Sequence, residues 1–199
     1  MSEHYFSQHP QSKSSPQKWR SELLGSYFTF ESDYGVFSKN EVDYGSRLLI
    51  ERFVEPAVVG DFLDLGCGYG PIGIAVAQCY PNRHVTLADI NERAIALARK
   101  NTHHNHVNNA DVVLSDRFNN LKGRSFAAIL TNPPIRAGKT IVHQMLEESH
   151  NALLDNGCLW VVIQKKQGAP SATEKLKKIF GNVNVMARSK GYYILQAIK

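Results

Sequence analysis

Cysteine is scarce in this chain. Its three residues, Cys67, Cys79 and Cys158, are an odd number without metal-type spacing. That excludes a disulfide framework and points to free, mostly buried thiols in a reducing compartment. Long apolar runs are missing too. The stretch CLWVVIQ at 158–164 falls far short of the ~20 residues a membrane-spanning helix needs. The opening MSEHYFSQHPQSK lacks the apolar centre of a signal peptide. A cytoplasmic protein with no membrane partner is expected. No internal repeat or low-complexity segment is visible.

What remains is an ordinary globular composition, 199 residues of which 43% are hydrophobic. A chain of this size buries enough apolar surface to be stable without staples. Residues 1–25, with Pro10, Pro16, Lys13, Lys18, Trp19 and Arg20, read as an irregular basic arm, and 26–199 as a single domain. The net charge of +5 permits a polyanionic partner and by itself decides nothing.

From residue 26 the pattern is regular. SYFTFES (26–32) alternates as a short strand, and a helix runs through Leu48, Leu49 and Phe53, with Ser46 as its cap and Pro56 near its end. Strands at 61–66, 84–89, 110–116, 125–132 and 158–165 then alternate with helices at 71–80, 91–104, 139–154 and 171–181. Such alternation implies a parallel sheet with helices on both faces. NVNVMARS and GYYILQAI, joined at Lys190-Gly191, lie too close for a crossover helix and must pair antiparallel. The expected fold class is α/β, Rossmann-like, with a seven-stranded mostly parallel sheet and an antiparallel C-terminal hairpin.

The first strand-to-helix junction reads Asp64-Leu65-Gly66-Cys67-Gly68-Tyr69-Gly70, followed by Pro71. Carboxyl ends of strands are where open α/β sheets bind ligands, and glycines there allow positive φ and close backbone approach. The spacing G-x-G-x-G-Pro differs from the G-x-G-x-x-G of dinucleotide binding. Asp64 suits an amino group, which a methionine moiety offers and a pyrophosphate does not. Asp89, nineteen residues after Gly70, suits ribose hydroxyls, and its neighbour Ile90 is assigned to the same ligand. Asp116 suits an adenine amino group. Each of these residues alone also fits a tight turn or a helix cap. Together, three acids at three successive strand ends read the amino-acid, ribose and adenine parts of one molecule.

Thr131-Asn132-Pro133-Pro134-Ile135 follows the fourth of these strands. Consecutive prolines fix φ and cannot donate, and a residue before proline is extended. The result is a rigid loop offering the Asn132 side-chain oxygen and the Pro133 carbonyl as acceptors. An exocyclic amine is a poor nucleophile because its lone pair is delocalised into the ring. Two acceptors on its hydrogens favour a pyramidal nitrogen, so positioning and electrostatics supply the catalysis without a metal. Asn132 and Pro133 are the catalytic candidates, and Pro134, Ile135 and Arg136 the substrate-binding ones. Arg136 and Lys139 suit phosphate, and surface solvation accounts for them equally well.

DLGCGYG resembles the first motif of class I S-adenosylmethionine-dependent methyltransferases. The Asn-Pro-Pro segment resembles the Asn-Pro-Pro-aromatic motif of those acting on amino groups, with Ile135 in the aromatic position. Stacking on the target then falls to Phe37 or Tyr34. GVFSKNEVDYGSRLLIE (35–51), DLGCGYGPIGIAVA, TNPPIRAG and GYYILQAI stand in the order of the small-subunit ribosomal RNA guanine-N2 methyltransferases. The resemblance covers about 34–199 and is nearest the single-domain, Bacillus-type members. It implies S-adenosylmethionine as cofactor, guanine N2 of 16S ribosomal RNA as target, and ribosomal RNA or the small subunit as partner. It also implies that Phe37 and Asp43 lie near the cofactor. A packing aromatic and a helix-capping acid describe those two residues equally well.

Other readings stay open. An amino methyltransferase acting on a protein glutamine or a DNA adenine shares the catalytic loop, though glutamine enzymes generally carry an aromatic at the Ile135 position. A catalytically silent cofactor-binding module that holds RNA is the third. His103, His104 and His106 lack a fourth metal ligand in sequence, so no metal is expected. Cys67 fills a small-residue position rather than serving as a nucleophile.

Overall fold

The computed structural model describes residues 13–38 and 41–199. Its main sheet has seven strands, β3 (Phe62–Leu65), β4 (Val85–Asp89), β5 (Ala110–Leu114), β6 (Phe126–Thr131), β7 (Leu153–Gln164), β8 (Asn184–Ser189) and β9 (Tyr192–Ile198). They lie in the order β5-β4-β3-β6-β7-β9-β8, parallel from β5 to β7, with β9 antiparallel to both of its neighbours. The expected fold class is what forms.

Strand residues alternate between two cores. Phe62, Leu130 and Trp160 pack on one face with helices α1 (Tyr44–Arg52), α2 (Pro71–Cys79) and α3 (Glu92–His104). Leu63, Ile129 and Leu159 pack on the other with α4 (Lys139–Ala152) and α5 (Ala169–Phe180). The order reverses beside β3, whose neighbours are β4 and β6. The loops after β3 and β6 therefore open side by side at the carboxyl edge, at a topological switch point.

Three local expectations need correction. Gln17–Leu23, placed in an irregular arm, is strand β1, paired antiparallel with β2 (Ser26–Ser32) through a two-residue turn at Leu24-Gly25. Both turn residues have positive φ, the geometry that matches strand twist in a tight hairpin. Leu23 is buried, and Trp19 packs at a tilt against Phe30 and edge-on against Tyr69, so the strand gains its stability from the core. The part of the arm at 1–12 lies outside the described residues. Ser46 does not cap α1. Asp43 does, accepting from the N–H groups of Gly45 and Ser46. Finally, α4 stops at Ala152 and β7 already starts at Leu153, running through Asp155-Asn156-Gly157. The pairing slips there between Phe126 and Ala128. A side chain at Gly157 would meet three backbone carbonyls at 2.8–3.1 Å, so the stretch between the expected helix and strand is a bulge within β7.

The hairpin is stitched to α3 by two asparagines one helical turn apart. Asn101 accepts from Glu31 N–H and donates to the Glu31 carbonyl, and Asn105 does the same with Thr29. Their amides substitute for a neighbouring strand along the β2 edge.

Candidate active site

The glycine loop is built from its own backbone. Gly66 and Cys67 both donate to the Ala88 carbonyl, and Gly70 donates to Cys67. The three glycines have φ of 77°, 57° and 97°, which side chains rarely tolerate. They play two roles. An added Cβ would meet nothing at Gly68 and only Met145 Cε at 4.0 Å at Gly66, because both open into a cavity. At Gly70 it would meet Ile74 and Leu87 at 2.9 and 3.0 Å. Gly70 does not line the cavity; it starts α2 and lets that helix pack on β4.

The cavity has a volume of about 390 Å³, within the range of small-molecule sites. It brings Phe37, Asp43, Gly66, Gly68, Asp89, Ile90, Asp116, Asn132, Pro133 and Pro134 together from six separate stretches of chain. The Asp89 oxygens accept from the N–H groups of Gly68 (2.8 Å) and Asn91 (2.9 Å). Burial raises its pKa against those bonds. Each oxygen keeps a further lone pair for a ligand hydroxyl. Asp116 also lines the wall, held by Asn119 and, at 3.6 Å, by Arg117.

Four assigned residues are not brought to that cavity. Asp64 lies beneath the loop, 1% exposed, with one oxygen accepting from Gly73 N–H at 2.7 Å and the other without a partner. Burial pushes its carboxyl up to about 7, with Asp89 adding to the rise. Gly70 is a packing glycine, as described. Ile135 turns away into a second cavity, and Arg136 is exposed in the one-turn helix at 135–137. Pro133 and Pro134 line the first cavity and Ile135, the first residue of that short helix, the second. Of the two stacking candidates, Phe37 lines the first cavity and Tyr34 does not.

Asn132 sits among side chains that fix its amide. Its Nδ2 donates to Ser46 Oγ at 3.0 Å and to the two Asp43 oxygens at 3.3 and 3.4 Å. A carboxylate only accepts, so the NH₂ must face it. That turns Oδ1, which accepts from no described residue, toward the remaining space. Asp43 is thus both the cap of α1 and the anchor of Asn132. Burial raises its pKa, opposed by bonds from Ser46, Gly45 and Asn132.

Sequence reasoning missed Ser46 as a partner of Asn132, reading it as a cap three residues too late. It also missed Arg117, which lines the cavity at φ 50° and binds Glu148 through Nε at 3.2 Å. No motif marks a non-glycine residue in that conformation. Cys67 lines the cavity too, but burial first, then Asp89 and Asp64, hold its thiol well above the ordinary range. That disfavours a thiolate nucleophile.

The family model of the methyltransferase small domain matches residues 27–196, nearly the whole described chain. The chain belongs to that family. Its members are class I methyltransferases dependent on S-adenosylmethionine. The protein is 53% identical to the uncharacterized protein YbxB of Bacillus subtilis, with both chains fully covered. It is 35% identical to a ribosomal RNA large subunit methyltransferase G of Psychromonas ingrahamii, over 82% of this chain and 44% of that one. A T. thermophilus 16S rRNA guanine-N2 methyltransferase, solved with AdoMet and guanosine, superposes with a TM-score of 0.83 at 25% identity. That match covers 92% of this chain and 50% of the other. The chain thus spans about half the length of those ribosomal RNA relatives. No helix among its described residues is long and apolar enough to cross a membrane.

Proposed function

We propose that this methyltransferase transfers a methyl group from S-adenosylmethionine to the exocyclic N2 of a guanine in ribosomal RNA. The observation that carries the reading is the fixed amide of Asn132, whose Oδ1 is left as an acceptor in the same cavity as Gly68 and Asp89. The cavity suits the cofactor. Gly68 presents bare backbone to it, Asp89 has lone pairs for two ribose hydroxyls, and Asp116 has a carboxylate for an adenine amino group. Asp64 supports this site from below by holding the loop to the first turn of α2 through Gly73.

When bound, the cofactor supplies an electrophilic methyl group on a sulfonium. The chain supplies orientation. Asn132 Oδ1 and the Pro133 carbonyl accept the two hydrogens of the amine, which localises its lone pair and directs it at the methyl carbon. With the cofactor in place, a C–N bond would form as the C–S bond breaks, and the nitrogen would release one proton to water. Phe37, 43% exposed at the mouth, provides the aromatic surface that Ile135 does not.

Small-subunit 16S RNA is the substrate the motif order implies, and the relatives named for both subunits make 23S RNA the comparison to run. The test uses tritiated S-adenosylmethionine with 30S and 50S subunits from a strain lacking the protein, followed by nucleoside digestion. Label in N2-methylguanosine of 16S RNA is the expected result, lost in Asn132→Ala. Label in 23S RNA would change the target. Cofactor binding with no RNA labelled would return a protein glutamine or DNA adenine to consideration.

A further inference from the structure

The loop that carries Asn132 separates two cavities. Pro133, Pro134 and Ala137 line the first, and Ile135 lines the second, which has a volume of about 300 Å³. The floor of the second is apolar, from Ile135, Val142 and Ile163, and its rim carries Lys139, Lys166 and His143. Lys139 and Lys166 share with most lysines of the described chain the lack of an ion pair; what sets them apart is that both line this cavity. Lys175, on the next helix, is by contrast paired with Glu147. Both bordering helices, α4 and α5, start from glycines, Gly138 and Gly168, with no side-chain cap. Their first-turn N–H groups add to the positive character of that rim. An apolar floor beneath unpaired cations matches a base with its phosphate. Adjacent residues of one loop wall the two cavities, so a strand with one nucleotide in the first can place the next in the second.

Resting on the function proposed above, we infer that the second cavity holds the nucleotide adjoining the target guanosine, its base over Ile135 and Ile163 and its phosphate on Lys139 and Lys166. This site would make the enzyme act on a strand rather than on a free nucleoside. It also accounts for Ile135, which the catalytic cavity does not use.

The test is direct binding, separate from turnover. A dye-labelled five-nucleotide single-stranded RNA with a central guanosine is titrated with the full chain, in parallel with calorimetric binding of S-adenosylmethionine. Lys139→Glu with Lys166→Glu is compared with Lys177→Glu with Lys178→Glu, an exposed pair further along α5. The first pair should weaken RNA binding at least about tenfold and lower the salt slope by about 0.7 per lost phosphate contact. Cofactor affinity should stay within about twofold, which excludes misfolding. RNA binding unchanged in the first pair, or equally weakened in the second, would overturn the site. Competition by polyglutamate as strong as by RNA would do the same, pointing to an acidic peptide. A wild-type protein that binds the cofactor and no RNA would bring down the functional reading itself, a result distinct from loss at these two lysines.

Discussion

The glycine loop and the Asn-Pro-Pro loop end adjacent parallel strands, yet they are held by different means. The first is fixed by bonds within a short stretch and to its neighbour β4, from Gly66 and Cys67 to Ala88, Gly68 to Asp89, and Gly73 to Asp64. The second has its backbone set by prolines, but its functional amide is oriented by Asp43 and Ser46, 89 and 86 residues away in sequence. The geometry of the glycine loop is therefore encoded locally. The orientation of the Asn132 amide depends on the docking of α1 against the sheet. A substitution in the first loop acts where it is made, whereas one at the start of α1 acts on chemistry across the cavity.

The most severe way to break this comparison is Asn132→Ala. Removing an acceptor preorganised for the transition state should lower kcat on RNA by about 10²–10³, as loss of one such group does elsewhere. Calorimetry should still detect cofactor binding in the variant. Near-normal turnover would move the chemistry to other groups.

Gly70→Ala and Gly68→Ala separate packing from ligand contact within the glycine loop. Both positions have positive φ, and the strain alone costs about 1 kcal/mol. At Gly70 the new Cβ also meets Ile74 and Leu87 at 2.9 and 3.0 Å, so urea unfolding should show a loss of about 2–3 kcal/mol. Gly68→Ala should lose about 1 kcal/mol and chiefly weaken S-adenosylmethionine binding. Equal stability losses with equal affinities would remove the distinction.

Asp64 makes a prediction about pH. Its carboxyl is held at about 7 by burial, above the ~3.9 of an unfolded chain. The native state keeps the proton that the unfolded state gives up. Its contribution is therefore fully present below about pH 4 and is lost as pH rises through about 7, by at most about 1.4 kcal/mol per pH unit. Asp43 and Asp89, also raised, act with the same sign. Asp64→Asn, which keeps an acceptor for Gly73, should flatten the slope in urea unfolding between about pH 4 and 8. A slope that survives intact belongs to the other two acids.

The smallest effect is expected at Asp43→Asn. Asparagine caps helices as well as aspartate does, so stability should change by less than about 1 kcal/mol. The Asn132 amide loses its charged partner, and kcat should fall about threefold to tenfold through a loosened orientation. Wild-type kcat in this variant would show that Ser46 alone holds the amide.

Much of the fold was legible because its signals are local. The strand and helix periods, the glycines before Pro71, and the Lys190-Gly191 turn lie within a few residues of what they specify, and the structure follows them. Where signals competed, reading failed. Asp155-Asn156-Gly157 carries turn chemistry, but sheet pairing with β6 converts it to a bulge. The strand at 17–23 shows only Trp19, Ser21 and Leu23 turned inward, too short a run to stand out before its partners on β2, α1 and the glycine loop are known. Asp43 and Ser46 both had cap chemistry, and helix docking decided which one caps.

The sequence by itself determined the sheet, the order of its elements and the two loops that end β3 and β6, because hydrophobic period and backbone restriction act over a few residues. Only the tertiary structure decided what each loop residue faces. It sank Asp64 beneath the loop, turned Ile135 into a second cavity and set Asp43 against Asn132. Those outcomes depend on which surfaces bury one another, and burial is a property of distant residues brought together.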